Sequence, residues 1–288
     1  MKASTFTSPA ESPWGTYAPG GAANFLRALA ANVPANWIGR RLALACRRVA
    51  WLGAAEIMDL ESEGLRLRVS RRGNVSDRKF AFMPQFFDVV ERREILSRAQ
   101  VGGYFLDIGA NAGIYSLCMA RRYRELGLGE VFAFEPNPLA LERLRQNLRL
   151  NELESTVECI PQALGERAGV IGFVVHGSNL GQSGLDNGQA GDRIEVPCGT
   201  LLDFLESRGL GAADALKIDV EGAEDRVLAD FMCSAPAGLL PRLVVIENSE
   251  CSWSVDLFGL FRNRGYERLY RGRMNSVFAL GADPSRSA

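Results

Sequence analysis

The sequence has 288 residues, and 47% of them are hydrophobic, which predicts one large domain with an extension. A formal net charge of -1 provides no general attraction to nucleic acid, so no nucleic-acid partner is expected. The chain has six cysteines, none in a C-x-x-C pair, and a single histidine, so neither a zinc site nor a disulfide framework is expected. The thiols are therefore expected to be reduced, which predicts a cytoplasmic protein.

The N-terminal hundred residues are predicted to precede the main domain. Residues 1–22 are rich in Ser, Pro, Gly and Ala and predict a flexible tail. Residues 23–100 predict an extension with a basic amphipathic helix, a strand at 64–70 and a further helix. The basic helix carries four arginines at a seven-residue interval, which predicts that they share one face: Arg40, Arg41, Arg47 and Arg48. It either docks on the domain as an ordinary helix, which is the commoner case, or makes a peripheral contact with an anionic membrane.

From residue 104 onward, short apolar runs alternate with segments of helical period, which is typical of a parallel sheet with crossover helices. The predicted strands are 104–108, 130–135, 157–162, 214–219 and 242–247, and the predicted helices are 113–125, 138–150, 200–208, 222–231 and 254–264. Residues 168–177 predict an additional strand, and residues 265–280 predict an antiparallel closing hairpin. We therefore expect a main domain at 101–281 and a tail at 282–288.

The first connection of this sheet, "FLDIGANAGIYS", suggests a ligand. Gly109 and Gly113 are spaced G-x-x-x-G, whereas a dinucleotide site needs G-x-G-x-x-G, and the chain has no G-x-x-x-x-G-K-[ST]. Asp107 would repel a diphosphate and attract a cation. These features indicate an adenosine that lacks phosphate and has a positive end, which is S-adenosylmethionine, although a purely structural turn explains this motif equally well.

Polar residues at the next two strand ends fit the same ligand. Glu135 ends the second strand, 28 residues after Asp107, where a carboxylate can accept both hydroxyl hydrogens of a ribose. Gln162 and Ala163 follow the third strand, where they can contact an adenine, although a simple strand end is the commoner explanation.

The fourth strand, in "ALKIDVEGAEDRVL", carries Lys217, Asp219 and Glu221 on alternate positions, so an extended backbone would direct them to one side. Unpaired burial of such groups is costly, which favours a functional role over an ion-paired strand end. The fifth strand contributes Glu247 and Asn248 at its end.

The motifs "FLDIGANAGIYS", "FAFEPNP", "QALGE" and "LKIDVEGAE" together resemble the FkbM family of S-adenosylmethionine-dependent methyltransferases, over residues 78–280. The resemblance implies a class I methyltransferase fold, which is Rossmann-like α/β: a seven-stranded, mostly parallel sheet with an antiparallel last strand and helices on both faces. It also implies methylation of a hydroxyl group on a sugar, polyketide or similar small molecule.

Carried over by position, the resemblance implies one ligand contact for each motif. Glu135 would contact the ribose, with Asn137 at its rim, and Gln162 and Ala163 would contact the adenine. Asp219 would lie near the reactive methyl group. The methionine end would contact the residues of the first turn: Asp107, Gly109, Ala110, Asn111 and Gly113.

Several acidic residues are candidates for the chemistry. Asp219 is the predicted base or orienting group, with Lys217 stabilising its charge and Glu221 and Glu247 nearby. His176 is a minor candidate for the base. A second mechanism would resemble that of metal-dependent catechol-type methyltransferases, with Mg²⁺ held by the hard oxygen ligands Asp219, Glu247 and Asn248. No metal is expected in this family, however.

Two other enzyme classes fit less well. A nucleic-acid amine methyltransferase typically has [DN]-P-P-[YFW] after the fourth strand, where this chain has D-V-E-G, and a nicotinamide dehydrogenase needs the absent three-glycine motif. A non-catalytic protein that binds S-adenosylmethionine stays open. The expected partner is a small-molecule or saccharide hydroxyl acceptor, with a glycan or glycolipid suggested by the basic helix.

Overall fold

The computed structural model describes residues 12–52, 56–71, 74–175, 184–185 and 192–281. The extension contains two helices, a hairpin and two further helices: α1 (Gly21–Asn32), α2 (Trp37–Ala50), β1 (Ile57–Ser62), β2 (Leu65–Ser70), α3 (Ser76–Phe82) and α4 (Val89–Arg98). The predicted basic helix and the strand at 64–70 are confirmed as α2 and β2. Their partners α1 and β1 were not predicted.

The main domain alternates strands and helices. In chain order its elements are β3 (Tyr104–Ile108), α5 (Ile114–Leu126), β4 (Glu130–Phe134), α6 (Pro138–Asn151), β5 (Val157–Ile160), β6 (Ala163–Leu164), β7 (Gly169–Val175), β8 (Gly184–Leu185), β9 (Asp192–Gly199), α7 (Leu201–Ser207), β10 (Ala215–Ile218), α8 (Glu224–Ser234), β11 (Leu243–Glu247), α9 (Leu257–Asn263), β12 (Tyr266–Arg271) and β13 (Asn275–Leu280). Seven strands form one sheet in the order β12-β13-β11-β10-β3-β4-β5. β13 is antiparallel to both neighbours, whereas the pairs among β11, β10, β3, β4 and β5 are parallel. The predicted class I methyltransferase sheet is confirmed.

Both faces of this sheet are covered, as predicted. Successive residues of β3 point to opposite faces, so Phe105 packs in the cluster that includes α5 and α6, whereas Leu106 packs in the cluster of α7, α8 and α9. Because both faces are apolar, the strands read as nearly continuous hydrophobic runs.

A second, smaller sheet lies between β5 and α7 in the chain. It has the order β6-β9-β7-β8. The additional strand predicted within residues 168–177 is confirmed as β7, but its pairing into a separate sheet was not predicted.

The extension packs directly on α6. The side chain of Asn151 accepts a hydrogen bond from the Arg66 amide, over 2.9 Å, and donates one to the Arg66 carbonyl, over 2.7 Å. Apolar residues of the extension belong to the same buried cluster as α5 and α6. The boundary near residue 100 therefore separates two parts that share a core, and the division itself stays a prediction.

The prediction of a flexible tail over 1–22 is wrong for its described part. The buried guanidinium of Arg68, paired with Asp59 at 2.6 Å, also donates to the carbonyl groups of Ser12 and Pro13. Asp59 in turn accepts from the Gly15 amide, over 2.8 Å. Residues 1–11 and the predicted tail at 282–288 lie outside the described residues.

The four arginines of α2 do not share one face. Since each residue advances a helix by about 100°, positions 41 and 48 lie on a different side from positions 40 and 47. Arg41 and Arg48 are exposed, whereas Arg47 is half-buried, and burial together with the charges of Arg78 and Arg48 lowers its pKa. Within the described ranges, no helix combines the length and apolar character that crossing a membrane requires.

Candidate active site

The turn between β3 and α5 lies where the strand order reverses. β3 and β10 are neighbours in the sheet, although the chain proceeds from β3 to β4 on the opposite side. In such sheets, ligands bind in the crevice at the carboxyl ends of the strands that flank this point. Asp107 lies at that end of β3 and Asp219 directly follows β10, so two of the predicted site residues meet at this crevice.

The side chain of Asp107 is buried and only half satisfied. Its Oδ2 accepts hydrogen bonds from the amide and the hydroxyl of Ser116, over 3.0 and 2.6 Å. Its Oδ1 has no hydrogen-bond partner among the described residues. Burial raises the pKa of Asp107, against the opposing effect of the Lys217 ammonium. A buried acceptor of this kind is stabilised by any ligand that brings a donor to it.

The turn itself requires its two glycines. Gly109 has a φ of +76°, and a Cβ at this position would collide with the carbonyl oxygen of Asp219. Gly113 has a φ of +84°, and a Cβ there would collide with the side chain of Leu144. Asn111 also adopts a left-handed φ, of +52°, which Asn tolerates better than most residues. The turn therefore packs closely against both β10 and α6.

Glu135 joins this turn to the end of β4. Its carboxylate is buried and accepts the Asn111 amide, over 2.7 Å, and the Asn137 amide, over 2.9 Å. Burial is the main reason why the pKa of Glu135 is raised to about 7. Each carboxylate oxygen keeps a further lone pair. The side chain of Asn137 caps α6 by accepting from the Leu139 amide, over 3.0 Å, and Ala110 is buried beside the same turn. The ligand contacts of these residues stay predictions.

The third predicted position lies at the junction of the two sheets. β5 ends at Ile160, two residues earlier than predicted. Ala163 opens β6 and pairs with Cys198 of the smaller sheet, while Gln162 packs against Gly199. The adenine contact stays a prediction.

Lys217 links the turn to Asp219. Its Nζ lies 3.2 Å from Oδ2 of Asp219 and 3.3 Å from the carbonyl oxygen of Gly109. Burial lowers the pKa of Lys217, but the carboxylates of Asp219 and Asp107 outweigh it, and the net shift is upward. The side chain of Asp219 is 40% exposed, whereas that of Lys217 is 8% exposed. A buried cation therefore holds a carboxylate that remains open to solvent.

Two more carboxyl groups surround Asp219. The extended backbone of β10 ends at Ile218 and Glu221 has a φ of +54°, so the prediction that strand alternation aligns Glu221 with Lys217 is wrong. Although Glu221 is exposed as a residue, partial burial of its carboxyl and then the charge of Asp219 raise its pKa to about 8. Burial and the same neighbour raise the pKa of Glu247 to about 7.

One member of the alternative magnesium set, Asn248, is bonded within the closing hairpin. The Oδ1 of Asn248 accepts from the Ser276 hydroxyl, over 2.7 Å, and its Nδ2 donates to the Gly272 carbonyl, over 3.0 Å. The side chain of Asn248 thus fixes the closing hairpin, and its role as a magnesium ligand stays a prediction. Among the described residues, no group of three or more His, Cys, Asp or Glu side chains could hold a metal ion. His176 lies outside the described residues.

Sequence reasoning missed a residue that fixes the loop after β10. The side chain of Glu224 is fully buried. Its Oε1 accepts hydrogen bonds from the amides of Val220 and Gly222, over 3.0 and 3.2 Å. Its Oε2 accepts a hydrogen bond from the indole of Trp253, over 2.8 Å. An acidic residue at the start of a helix was the available signal, since carboxylates there bind free amide groups.

The extension also reaches the site, which the sequence did not indicate. The buried Asn74 donates from Nδ2 to Oδ1 of Asn111, over 2.6 Å, and accepts from the Ser76 amide, over 2.9 Å. Asp88 accepts from the hydroxyl of Tyr115 in α5, over 3.2 Å. Residues before the main domain therefore support the turn that precedes α5.

A cleft of about 590 Å³ opens beside Asp219 and Glu247. Its other walls come from the extension and the closing hairpin, and its charged and polar lining includes Arg40, Lys79, Asp88, Glu91, Tyr270, Arg273 and Asn275. A larger cavity of about 650 Å³ lies between the second sheet and α8 and contains none of the predicted site residues. The cleft beside Asp219 is therefore the candidate acceptor site.

Comparison with known proteins identifies the family of this site. The model of the Methyltransferase FkbM domain matches residues 107–267, more than half of the chain. The chain belongs to the FkbM methyltransferase family. The match begins at Asp107 and includes every predicted site residue from there to Asn248, so the resemblance found in the sequence is confirmed.

Individual relatives are more distant. Methyltransferase sdnD of Sordaria araneosa is 30% identical over 155 residues, which cover 43% of this chain and 59% of that protein. Methyltransferase 1 of Beauveria bassiana (strain ARSEF 2860) is 28% identical over 145 residues, which cover 43% of this chain and 57% of that protein. The chain thus spans less than two thirds of these relatives. The crystal structure of Methyltransferase FkbM from Methylobacillus flagellatus KT has a TM-score of 0.44 and 15% identity, over 73% of this chain and 56% of that chain.

Proposed function

We propose that this FkbM-family chain transfers a methyl group from S-adenosylmethionine to a hydroxyl oxygen of a small molecule or saccharide. The observation that carries the proposal is the position of the Asp219 carboxylate: it adjoins the glycine turn through Lys217 and lines the 590 Å³ cleft. A cofactor on one side and an acceptor on the other would meet at this carboxylate.

The residues around the turn fit this cofactor. The buried Oδ1 of Asp107 lacks a partner, and an ammonium group would supply one. The remaining lone pairs of Glu135 suit ribose hydroxyls. Two buried carboxyl groups beside one turn also disfavour a diphosphate. When bound, S-adenosylmethionine supplies a methyl group on a sulfonium whose leaving group is a neutral thioether.

The remaining chemistry is alignment and proton removal. Asp219 would orient the acceptor hydroxyl and accept its proton, and the Lys217 ammonium, 3.2 Å away, would hold the carboxylate in position. Glu247 and Glu221, with pKa values raised to about 7 and about 8, are further proton acceptors near neutral pH. The reaction needs no metal in this scheme, and no step is assigned to one.

A labelled transfer assay tests this function. The purified chain is incubated with methyl-labelled S-adenosylmethionine and with small-molecule, saccharide and glycolipid fractions, with and without a chelator. We expect label in an O-methyl product, in either chelator condition, and its loss with Asp219→Asn. Label that appears only in nucleic acid, or binding of the cofactor without transfer to any acceptor, would contradict the proposal.

A further inference from the structure

Helix α2 carries an apolar stripe that faces solvent. Ile38, Leu42, Ala45 and Val49 follow the i, i+4, i+7, i+11 spacing of one helix side, and all four are exposed. The three large side chains among them are 51%, 52% and 49% exposed. Another side of α2 is buried through small residues, namely Gly39, Ala43 and Ala50, and the helix packs against α1. The helix is therefore docked on its small-residue side and presents its large apolar side to the surroundings.

Exposed apolar residues are concentrated in this part of the chain. Of 16 large hydrophobic residues that are exposed within the described ranges, seven belong to α1, to α2 or to the residues just after α2. We call these seven the α1–α2 apolar surface: Phe25, Leu29, Trp37, Ile38, Leu42, Val49 and Leu52. Single exposed apolar residues are ordinary, but such a concentration is typical of a surface that binds something.

The charge of this region identifies the kind of partner. Residues 12–52 contain five arginines and no Asp or Glu, although the whole chain has a net charge of -1. Arg41 and Arg48 are exposed on the side next to the stripe, and the Arg41 guanidinium lies 5.4 Å from the centre of the Trp37 ring. Large apolar residues flanked by arginine and tryptophan, without acidic residues, complement an anionic lipid surface.

The same helix borders the acceptor cleft. Arg40 of α2 lines the cleft that contains Asp219 and Glu247. Since each residue advances a helix by about 100°, Arg40 lies opposite the stripe. We propose that the α1–α2 apolar surface docks the chain on an anionic lipid bilayer, with α2 in the plane of the headgroups and between them and the cleft. The docking is independent of the proposed methyl transfer; only the access of a membrane-borne acceptor to the cleft rests on that function.

Co-sedimentation with vesicles tests the docking without any activity assay. The full chain is mixed with vesicles of phosphatidylcholine alone or with about one third phosphatidylserine. We expect the chain to sediment with the anionic vesicles only, and less so as the salt concentration rises. Arg41→Gln combined with Arg48→Gln should weaken binding about thirtyfold, about fivefold for each charge. Ile38→Ser combined with Leu42→Ser should abolish it.

Matched control variants distinguish binding through this surface from non-specific adsorption to vesicles. Leu128 and Val170 are 62% and 66% exposed elsewhere, so Leu128→Ser with Val170→Ser should bind like the wild type. Arg93→Gln with Arg262→Gln removes two exposed charges outside the region and should also bind normally. Circular dichroism checks that every variant is folded.

Three results would overturn the docking proposal. One is a wild-type chain that stays in the supernatant with anionic vesicles. A second is vesicle binding that the α2 variants retain in full. The third is a wild-type chain that does not bind vesicles but forms a stable dimer in light scattering, which Ile38→Ser with Leu42→Ser converts to a monomer. The surface would then bind a second copy of the chain.

Discussion

The ammonium of Lys217 lies 3.2 Å from the carboxylate of Asp219 and 3.3 Å from the carbonyl of Gly109. One buried side chain therefore connects the glycine turn after β3 with the acidic group after β10. This connection explains why a lysine occupies an otherwise apolar strand: its charge is paired, and the pairing fixes a partially exposed carboxylate at the crevice.

Loss of the Asp219 charge should impair chemistry and spare cofactor binding. We expect Asp219→Asn to lower kcat by about 10²-fold or more, which is the usual contribution of a positioned base, with an unchanged Kd for S-adenosylmethionine. Initial rates with a labelled donor and calorimetric titration measure the two quantities. Asp230→Asn, on the exposed side of α8, is the control and should behave like the wild type. An undiminished rate for Asp219→Asn would remove this residue from the chemistry.

Activity should rise with pH through neutrality. The pKa of Glu247 is raised to about 7 and that of Glu221 to about 8, and a carboxyl group accepts a proton only in its ionised form, above its pKa. If either group assists Asp219, kcat increases between about pH 6 and pH 9. Glu247→Gln should remove the rise near pH 7. A profile that is flat over this range in the wild type would exclude both groups as proton acceptors.

The buried carboxylate of Glu135 should contribute to cofactor affinity. Glu135→Gln keeps the shape of the side chain but replaces one acceptor oxygen by a donor, which faces the amide of Asn111 or of Asn137. We expect S-adenosylmethionine to bind at least about tenfold more weakly, the cost of losing a hydrogen bond to a charged group. Glu142→Gln, at an exposed position of α6, provides the comparison. Equal Kd values for both variants would refute the assignment.

Substitution of the first glycine should destabilise the fold. In Gly109→Ala, the new Cβ meets the Asp219 carbonyl at a φ of +76°, which should cost about 1–3 kcal/mol and lower Tm by several degrees. Gly238→Ala introduces a Cβ with no atom within 4 Å and should leave Tm unchanged. Thermal unfolding followed by circular dichroism measures both; matching Tm values would show that the turn tolerates a side chain.

The extension should stiffen the turn through Asn74. Its carboxamide bonds to that of Asn111, so Asn74→Ala should accelerate amide hydrogen exchange in residues 107–116 and weaken cofactor binding. Asn32→Ala, which removes an exposed side chain at the end of α1, should change neither. Unchanged exchange in Asn74→Ala would mean that the main domain orders the turn by itself.

Local patterns were sufficient for the sheet and its candidate ligand contacts. Apolar runs located every parallel strand of the seven-stranded sheet, and the glycines and acidic residues at their ends located Asp107, Glu135 and Asp219. Contacts between distant segments had no such signal. Asn74 meets Asn111 across 37 residues and Asn248 binds Ser276 across 28, and neither pairing follows from spacing. Alternation also failed at Glu221, because the strand ends three residues earlier.

Calorimetric titration of S-adenosylmethionine into the wild type and Asp107→Asn tests the central claim most directly. The substitution preserves the shape and the bond to Ser116 but removes the charge that the unpartnered Oδ1 would offer to an ammonium group. The account predicts one binding site in the wild type and at least about tenfold weaker binding in a folded Asp107→Asn. No binding to the wild type, or equal affinity in both proteins, would contradict it.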